Sequence, residues 1–430
     1  MRHRTPTLCA ALALAACAVV TMSDVAPAAS RDLDRSFGDA GRVITDISRG
    51  NDAAADLAIQ TNGKIVAVGR ASTRRYYGRF AVTRYRTNGH LDPAFGGDGV
   101  VTVDIATRED AAAAVAIQAD GRVVAAGGAA VTAFDGAFAL VRFGPDGTRD
   151  ATFGDAGIVI TNLSSGDDGA ADIAIQDDRR IVVAGTANGR FAVARYEPDG
   201  APDPSFGGDG SVRTDVAAGY DSAAGVAIDA GGNIVVAGTG GDGSFAVVRY
   251  GPDGTPDPSF GGGDGVVTND LTDGYDSANA VAIDAEGNVI VAGEAGFCCE
   301  YTGRVGVVRF EPDGDPDPTF GGDGTVITNL SPTDDSARDV AIQADGDIVV
   351  AGTEGFDGLR SRFALARYTD MGVLDATFGG DGWIATSFSR GFDAARAIAI
   401  QPDGAIVAAG GSYPDPNGLN GRFALARYHG

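Results

Sequence analysis

Two charged residue types recur at fixed places along this chain, and their recurrence decides what chemistry they can do. An arginine precedes an aromatic at Arg84, Arg142, Arg195, Arg249, Arg309, Arg367 and Arg427, and an aspartate heads an alanine- or serine-rich stretch at Asp52, Asp110, Asp168, Asp221, Asp276, Asp335 and Asp393. Seven equal sites rarely make one active site. A structural ion pair, or an aspartate cap repeated once per unit, fits sevenfold recurrence, because a buried charge needs a partner.

Other reactive groups are sparse. Of the three histidines, His3 lies near the N-terminus, His90 in a turn and His429 next to the end, so no Ser/His/Asp or Cys/His arrangement can be assembled. Paired carboxylates for glycoside chemistry carry no information in a chain with 58 acidic residues. The loop Pro312 to Gly324 alternates Asp313, Asp315 and Asp317 and invites a calcium reading. Yet Pro318 occupies the glycine position of the EF-hand template, and Gly324 the position of its bidentate glutamate. No cofactor is therefore expected, and calcium is the one ion to look for. Cys9 and Cys17 fall in an N-terminal segment, leaving the adjacent pair Cys298 and Cys299. That pair could close a vicinal disulfide or remain two thiols, and it builds no disulfide framework.

The elements that carry these residues are repeats. A Phe-Gly pair returns at Phe37, Phe95, Phe153, Phe206, Phe260, Phe320 and Phe378, a period of roughly 55 residues that marks solenoids, propellers and arrays. Within one unit, Ala54 to Gln60 and Lys64 to Gly69 flank an Asn-Gly turn, the strongest short hairpin signal. Phe80 to Tyr85 and Val100 to Ile105 supply a third and a fourth strand. First strands are crowded with small residues and second strands are nearly continuous Ile/Val, the gradient expected where blades converge on an axis and neighbours cover both faces. The fold expected is all-β, a seven-bladed β-propeller of four-stranded blades. Its ring closes by pairing Val43 to Ile47 with Phe423 to Tyr428, which removes two sheet edges.

The phrases Leu-Asp-x-x-Phe-Gly-Gly-Asp-Gly, Val-Ala-Ile-Gln-x-Asp-Gly-x-Ile-Val-Val-Ala-Gly and Phe-Ala-Leu-Ala-Arg-Tyr resemble the delta-60 repeat of bacterial secreted proteins, a propeller-forming family without assigned function. The resemblance covers residues 33–430, with departures at Val305, where Phe is usual, and at Arg179, where the hairpin lacks glycine. It implies the propeller and an extracytoplasmic setting, and it transfers no catalytic residue.

Residues 1–28 have the form of a secretory signal: Arg2 and Arg4, an apolar run from Leu8 to Val20, and Ala26-Pro27-Ala28 as a cleavage site. One propeller domain, 29–430, follows. Leu14-Ala15-Ala16-Cys17 also has the form of a lipobox, which would anchor the protein through Cys17. No segment is apolar for the ~20 residues a membrane span needs. The net charge of −25 excludes a nucleic-acid partner. The expected molecule is a monomer.

Strand alternation puts the connections between second and third strands on one face with those from fourth to next first strand. These loops vary in length and carry Tyr76, Tyr77, Phe134, Phe297, Tyr301, Phe356 and Tyr413, joined by Tyr220, Tyr275 and Phe392. Exposed aromatics on a rigid scaffold mark a binding face for a protein or glycan. The expected function is thus a secreted binding or scaffold propeller. The alternative is an extracytoplasmic polysaccharide hydrolase or lyase with carboxylates in the central funnel.

Overall fold

A computed structural model describes residues 32–74, 77–106, 108–131, 136–296, 302–415 and 418–430, with the backbone alone for residues 73, 74 and 77. Residues 1–28, read above as a secretory signal and including Cys17, and the pair Cys298 and Cys299 lie outside these residues. So do Tyr76, Phe134, Phe297 and Tyr301.

Twenty-eight strands form seven four-stranded antiparallel sheets, and the one helical turn among the described residues is Gly261–Gly263. The protein is a seven-bladed β-propeller. In six blades the strands are hydrogen-bonded in chain order; in the seventh, Arg42–Thr45 lies beside Arg422–Tyr428, followed by Ile406–Tyr413 and Phe392–Ile400. The register sets Arg42 opposite Ala426 and Thr45 opposite Phe423, so the two ends of the chain share one blade. The first strands are Asp52–Ile59, Asp110–Ile117, Asp168–Ile175, Ser222–Ile228, Ser277–Ile283, Asp334–Ile342 and Phe392–Ile400, heading blades 1 to 7. Each touches the first strand of the next blade, and the seventh touches the first. They therefore ring a central channel.

Burial follows from this geometry. Second and third strands are sandwiched between neighbouring sheets, and Ile65, Val66, Ala67 and Val68 have no exposed surface. Each of seven apolar clusters spans one joint between blades: one joins Val66, Val68 and Phe80 to Val115, Val123 and Phe143, and the closing one joins Phe37, Leu57 and Tyr85 to Val407, Phe423 and Leu425. A blade buries its faces only against its neighbours. Stability is thus a property of the closed ring.

Strand bounds shift by a few residues from expectation, and two local details have clear reasons. The fourth strand of blade 1 stops at Val103 rather than Ile105, because the Asp110 carboxylate accepts the amides of Ile105 and Ala106 and turns the chain. The glycine-free hairpin in blade 3 places Arg179 at a φ of 71°, a left-handed conformation that non-glycine residues seldom adopt.

Candidate functional site

The two sevenfold sets do not meet; they lie on opposite faces. Six of the arginines pair with a third set, the aspartate eight residues on, and Arg427 pairs with the equivalent Asp34 at the other end of the chain. In blade 3, Arg195 Nε donates to Asp203 Oδ2 at 2.7 Å, its Nη2 donates to Ser205 Oγ at 3.0 Å, and its guanidinium stacks 4.8 Å from the Phe206 ring centroid. Its Nη1 reaches the carbonyl of Pro252 in the next blade. The same contacts recur at Arg84 with Asp92 and Phe95, at Arg142 with Asp150 and Phe153, at Arg249 with Asp257 and Phe260 and at Arg309 with Asp317 and Phe320. Arg367 and Arg427 pair with Asp375 and Asp34. Asp317, one of the alternating carboxylates considered for calcium, is thus engaged by Arg309. Among the described residues no group of three or more His, Cys, Asp or Glu is placed to hold a metal ion.

The cap aspartates tie down the opposite, loop-bearing face. Asp276 Oδ2 accepts the amides of Leu271 and Thr272 at 2.7 and 3.0 Å, and Oδ1 accepts Gly296 N at 3.0 Å. Asp52, Asp168, Asp221, Asp335 and Asp393 receive the corresponding amides at Ile47, Leu163, Val216, Leu330 and Phe388. Each carboxylate satisfies a turn that would otherwise bury free donors.

On this face the aromatics fall into two groups. Phe392 packs against Phe356 and Tyr413, with ring centroids 5.6 Å away in both cases, so these three cover the joint between blades 6 and 7. Tyr220 and Tyr275 behave differently: they remain 63% and 64% exposed. Each sits immediately before a cap aspartate, at the rim of the channel, with its ring on a glycine of the preceding loop. A Cβ at Gly189 would stand 2.8 Å from Tyr220 Cδ2, and one at Gly243 would stand 2.8 Å from Tyr275 Cδ2. Glycine at both places lets one ring face lie flat on backbone while the other faces outward. Beside Tyr220 opens a polar cleft of about 780 Å³, lined by Asn188, Arg190, Arg213 and Asp215. For Tyr77 the backbone alone is described, in the strand Tyr77–Tyr85 on blade 1.

The channel holds a group of residues that the sequence reading passed over. Every first strand carries a one-residue bulge, and in blades 1, 3 and 6 the residue after it is Asp56, Asp172 or Asp339. Each carboxylate accepts two amides, one from its own blade and one from the next: Leu57 and Val115 at 2.6 Å each, Ile173 and Val226 at 2.7 Å each, and Val340 and Ile398 at 2.8 and 2.7 Å. Burial pushes the Asp172 carboxyl up to about 6 and Asp339 up to about 7. Burial, with the charges of Asp172 and Asp339, holds Asp56 well above the usual range. Carboxyls poised near neutrality in a cavity have the acidity of a general acid. Here, however, both oxygens of each are occupied by backbone amides, and the arrangement works as a clamp between blades.

This clamp has a pH signature. Carboxyls raised above their unfolded value hold protons more tightly when folded, so their contribution to stability is complete below about pH 4 and is lost as pH rises through about 6 to 7. The strongly paired aspartates of the arginine face act in the other direction, and only at acid pH: Asp150, held down to about 2 by hydrogen bonds from Thr152 and the charges of Arg142 and Arg122 against the effect of burial, loses its contribution as pH falls below about 4. We expect stability to fall by about 1–3 kcal/mol between about pH 5 and pH 8, a discount on the full shift because lumen water screens the carboxylates. Urea midpoints of wild type and Asp339→Asn test this: the variant should be less stable and show a shallower slope. An unchanged slope would remove Asp339 from the account.

Comparison with known proteins places the repeat. Six segments, residues 60–95, 118–153, 176–206, 232–260, 286–320 and 343–378, match the model of a family described as a domain of unknown function (DUF5122) beta-propeller. Over these segments the chain is similar to that family, and its fold is a β-propeller. No curated protein matches it. Among solved structures, a polysaccharide lyase of family PL25, an ulvan lyase bound to a glucuronate–sulfated rhamnose disaccharide, is 12% identical with a TM-score of 0.51, covering 89% of this chain and 95% of its own. Virginiamycin B lyase from Staphylococcus aureus is 10% identical with a TM-score of 0.48, covering 90% and 98%. The PQQ-bound aldose sugar dehydrogenase of Streptomyces coelicolor is 17% identical with a TM-score of 0.42, covering 80% and 97%. At these identities the likeness is one of fold.

Each matched segment runs from the hairpin turn through the second and third strands, the arginine and its partner aspartate to the Phe of the Phe-Gly pair, all of them parts of the scaffold. The channel residues lie outside the matched segments. A signal for the aspartates was present in the sequence: at one aligned position otherwise held by Ala114, Gly225, Ala280 and Ala397, aspartate appears at residues 56, 172 and 339.

Proposed function

We propose that this propeller is a secreted, non-enzymatic binding protein that recognises a glycan on its variable-loop face, with Tyr220 and Tyr275 as the platform. The observation that carries this reading is the pair of equivalent tyrosines on neighbouring blades, each backed by glycine and more than 60% exposed. An aromatic ring fixed on one side and open on the other offers a flat apolar surface at little entropic cost, since its orientation is already set. Sugars present matching C–H faces, while their hydroxyls suit the polar cleft at Asn188, Arg190 and Asp215. A protein ligand would use the same loops; two separated, flat and wet platforms fit a glycan better. Secretion rests on the form of residues 1–28, with Cys17 as the anchor point in the lipid-modified alternative. The delta-60 assignment refines the family match in the same sense.

The enzymatic alternative would draw its carboxylates from the funnel, where Asp56, Asp172 and Asp339 are engaged by amides. The binding reading is tested on a glycan array followed by calorimetry. Tyr220→Ala with Tyr275→Ala should weaken the best glycan by at least about tenfold, the range expected for well-placed aromatic anchors, with the melting temperature unchanged. Full binding by the double variant would refute the platform.

A further inference from the structure

The channel wall changes character part-way round. At the bulge, the residue is alanine in blades 1 to 4, at positions 55, 113, 171 and 224, and then Asn279, Arg338 and Arg396 in blades 5 to 7. Along all seven first strands, Arg338 and Arg396 are the two residues classed as exposed. Since these strands ring the axis, the open space they face is the channel. Asn279 is engaged through Nδ2 by the carbonyl of Ala337 at 2.8 Å. The arginines have no such commitment: Arg338 Nη2 is 3.9 Å from Glu294 Oε2, and Arg396 makes no hydrogen bond or ion pair with any described residue. The surrounding channel wall, which partly desolvates the guanidinium although its side chain stays 46% exposed, together with the charge of Arg396, pulls Arg338 below its usual value against the opposing charge of Glu294.

Two arginines stand at equivalent bulges of neighbouring first strands, like charges side by side in a chain with 58 acidic side chains. The other charged groups nearby are Glu294, with Asp334 beside it, and Asp339, whose oxygens serve Val340 and Ile398. None of these is in bidentate contact with either arginine. Forked donors facing a lumen are suited to an anion.

Tyr220 and Tyr275 stand at the channel rim at the position that Asp334 and Phe392 hold in blades 6 and 7, and the arginines lie four residues further along their strands. That is a depth of about 13 Å at about 3.3 Å per residue. One oligosaccharide can span that depth. We propose that the mouth of the channel binds an acidic sugar, carboxylated or sulfated, with its anionic group between Arg338 and Arg396 and the rest of the glycan on the tyrosine platform. This rests on the glycan reading above. The chain's net charge of −25 opposes approach at long range, but beyond about 8 Å it is screened at physiological ionic strength, so the contact at the arginines decides.

The test uses the full chain and an array of neutral, uronate-bearing and sulfated oligosaccharides, with calorimetry on matched acidic and neutral oligomers. The acidic oligomer should bind at least about tenfold more tightly than its neutral counterpart, and Arg338→Ala with Arg396→Ala should abolish the difference while leaving neutral binding unchanged. Should that variant fail to fold, Arg396→Gln, which removes a charge that makes no hydrogen bond or ion pair with any described residue, gives the same readout. The uronate and sulfate arms show which anion is preferred. Neutral binding with no acidic preference, or a preference that survives both substitutions, overturns the acidic site and leaves the platform standing. No binding by any oligosaccharide overturns both.

Discussion

Removal of residues 32–47 is expected to destroy the cooperative fold and to leave an aggregating chain. These residues supply the outer strand of blade 7: Arg42–Thr45 pairs with residues 423–426, Leu33 bridges to Tyr428, and the amide of Asp34 donates to the Arg427 carbonyl at 2.9 Å. Phe37 has no exposed surface and fills the joint between blades 7 and 1 beside Val407, Phe423 and Leu425. Deleting a side chain of that kind alone costs about 3–5 kcal/mol, and the deletion also frees an edge strand to pair with other chains. Domains of ordinary stability hold only about 5–15 kcal/mol in reserve. Light scattering and urea unfolding of the truncated chain provide the check, with Phe37→Ala as the milder variant, expected to lose about 3–5 kcal/mol without aggregating. A truncated protein that is monomeric and melts like wild type would show that the clasp contributes nothing.

Arg249→Ala should lower stability by about 3 kcal/mol, toward the lower end for broken buried ion pairs because both partners retain some solvent contact. The substitution leaves Asp257 without the 2.8 Å donor at Nε, Ser259 without its 2.8 Å partner, the Phe260 ring without its cation at 4.7 Å, and the carbonyl of Pro312 without its donor from the neighbouring blade. Arg249→Lys restores charge but not the fork, and should recover less than half of the loss. Glycan binding should be unaffected in both, because these contacts lie on the face opposite Tyr220 and Tyr275. Denaturant midpoints and calorimetry separate the two effects. A variant that loses binding while keeping wild-type stability would move Arg249 from scaffold to site.

The ring was legible in the sequence because its signals repeat. Small first strands and the Phe-Gly phrase recur seven times, and a glycine-bearing hairpin turn accompanies them in every blade but the third; the shared blade follows from the offset between the chain ends. What the repeat could not show was pairing across blades. Arg195 and Asp168 recur with equal regularity, yet regularity is blind to faces: the arginine meets Asp203 on one side of the disc, and Asp168 caps Leu163 and Ser164 on the other. Among the aromatics, composition could not separate Tyr220, which lies open on glycine, from Phe392, which packs into Phe356 and Tyr413. The channel residues escaped for the opposite reason. Arg338, Arg396 and the three aspartates are departures from the repeat, and a reading tuned to recurrence averages departures away.

The carboxylate clamps carry one further implication. Each clamp joins two adjacent blades, 1 with 2, 3 with 4 and 6 with 7, and the fifth stands outside all three: there Val281 follows Ala280 and faces Gly225, with no carboxylate to meet. A Cβ at Gly225 would stand 3.0 Å from the Val281 amide, so even an alanine there would need its neighbour to give. The clamps thus give an otherwise repetitive disc a distinguishable sector, and the polar residues Asn279, Arg338 and Arg396 begin at that blade. A ring of identical blades has no preferred direction across its axis; this one does.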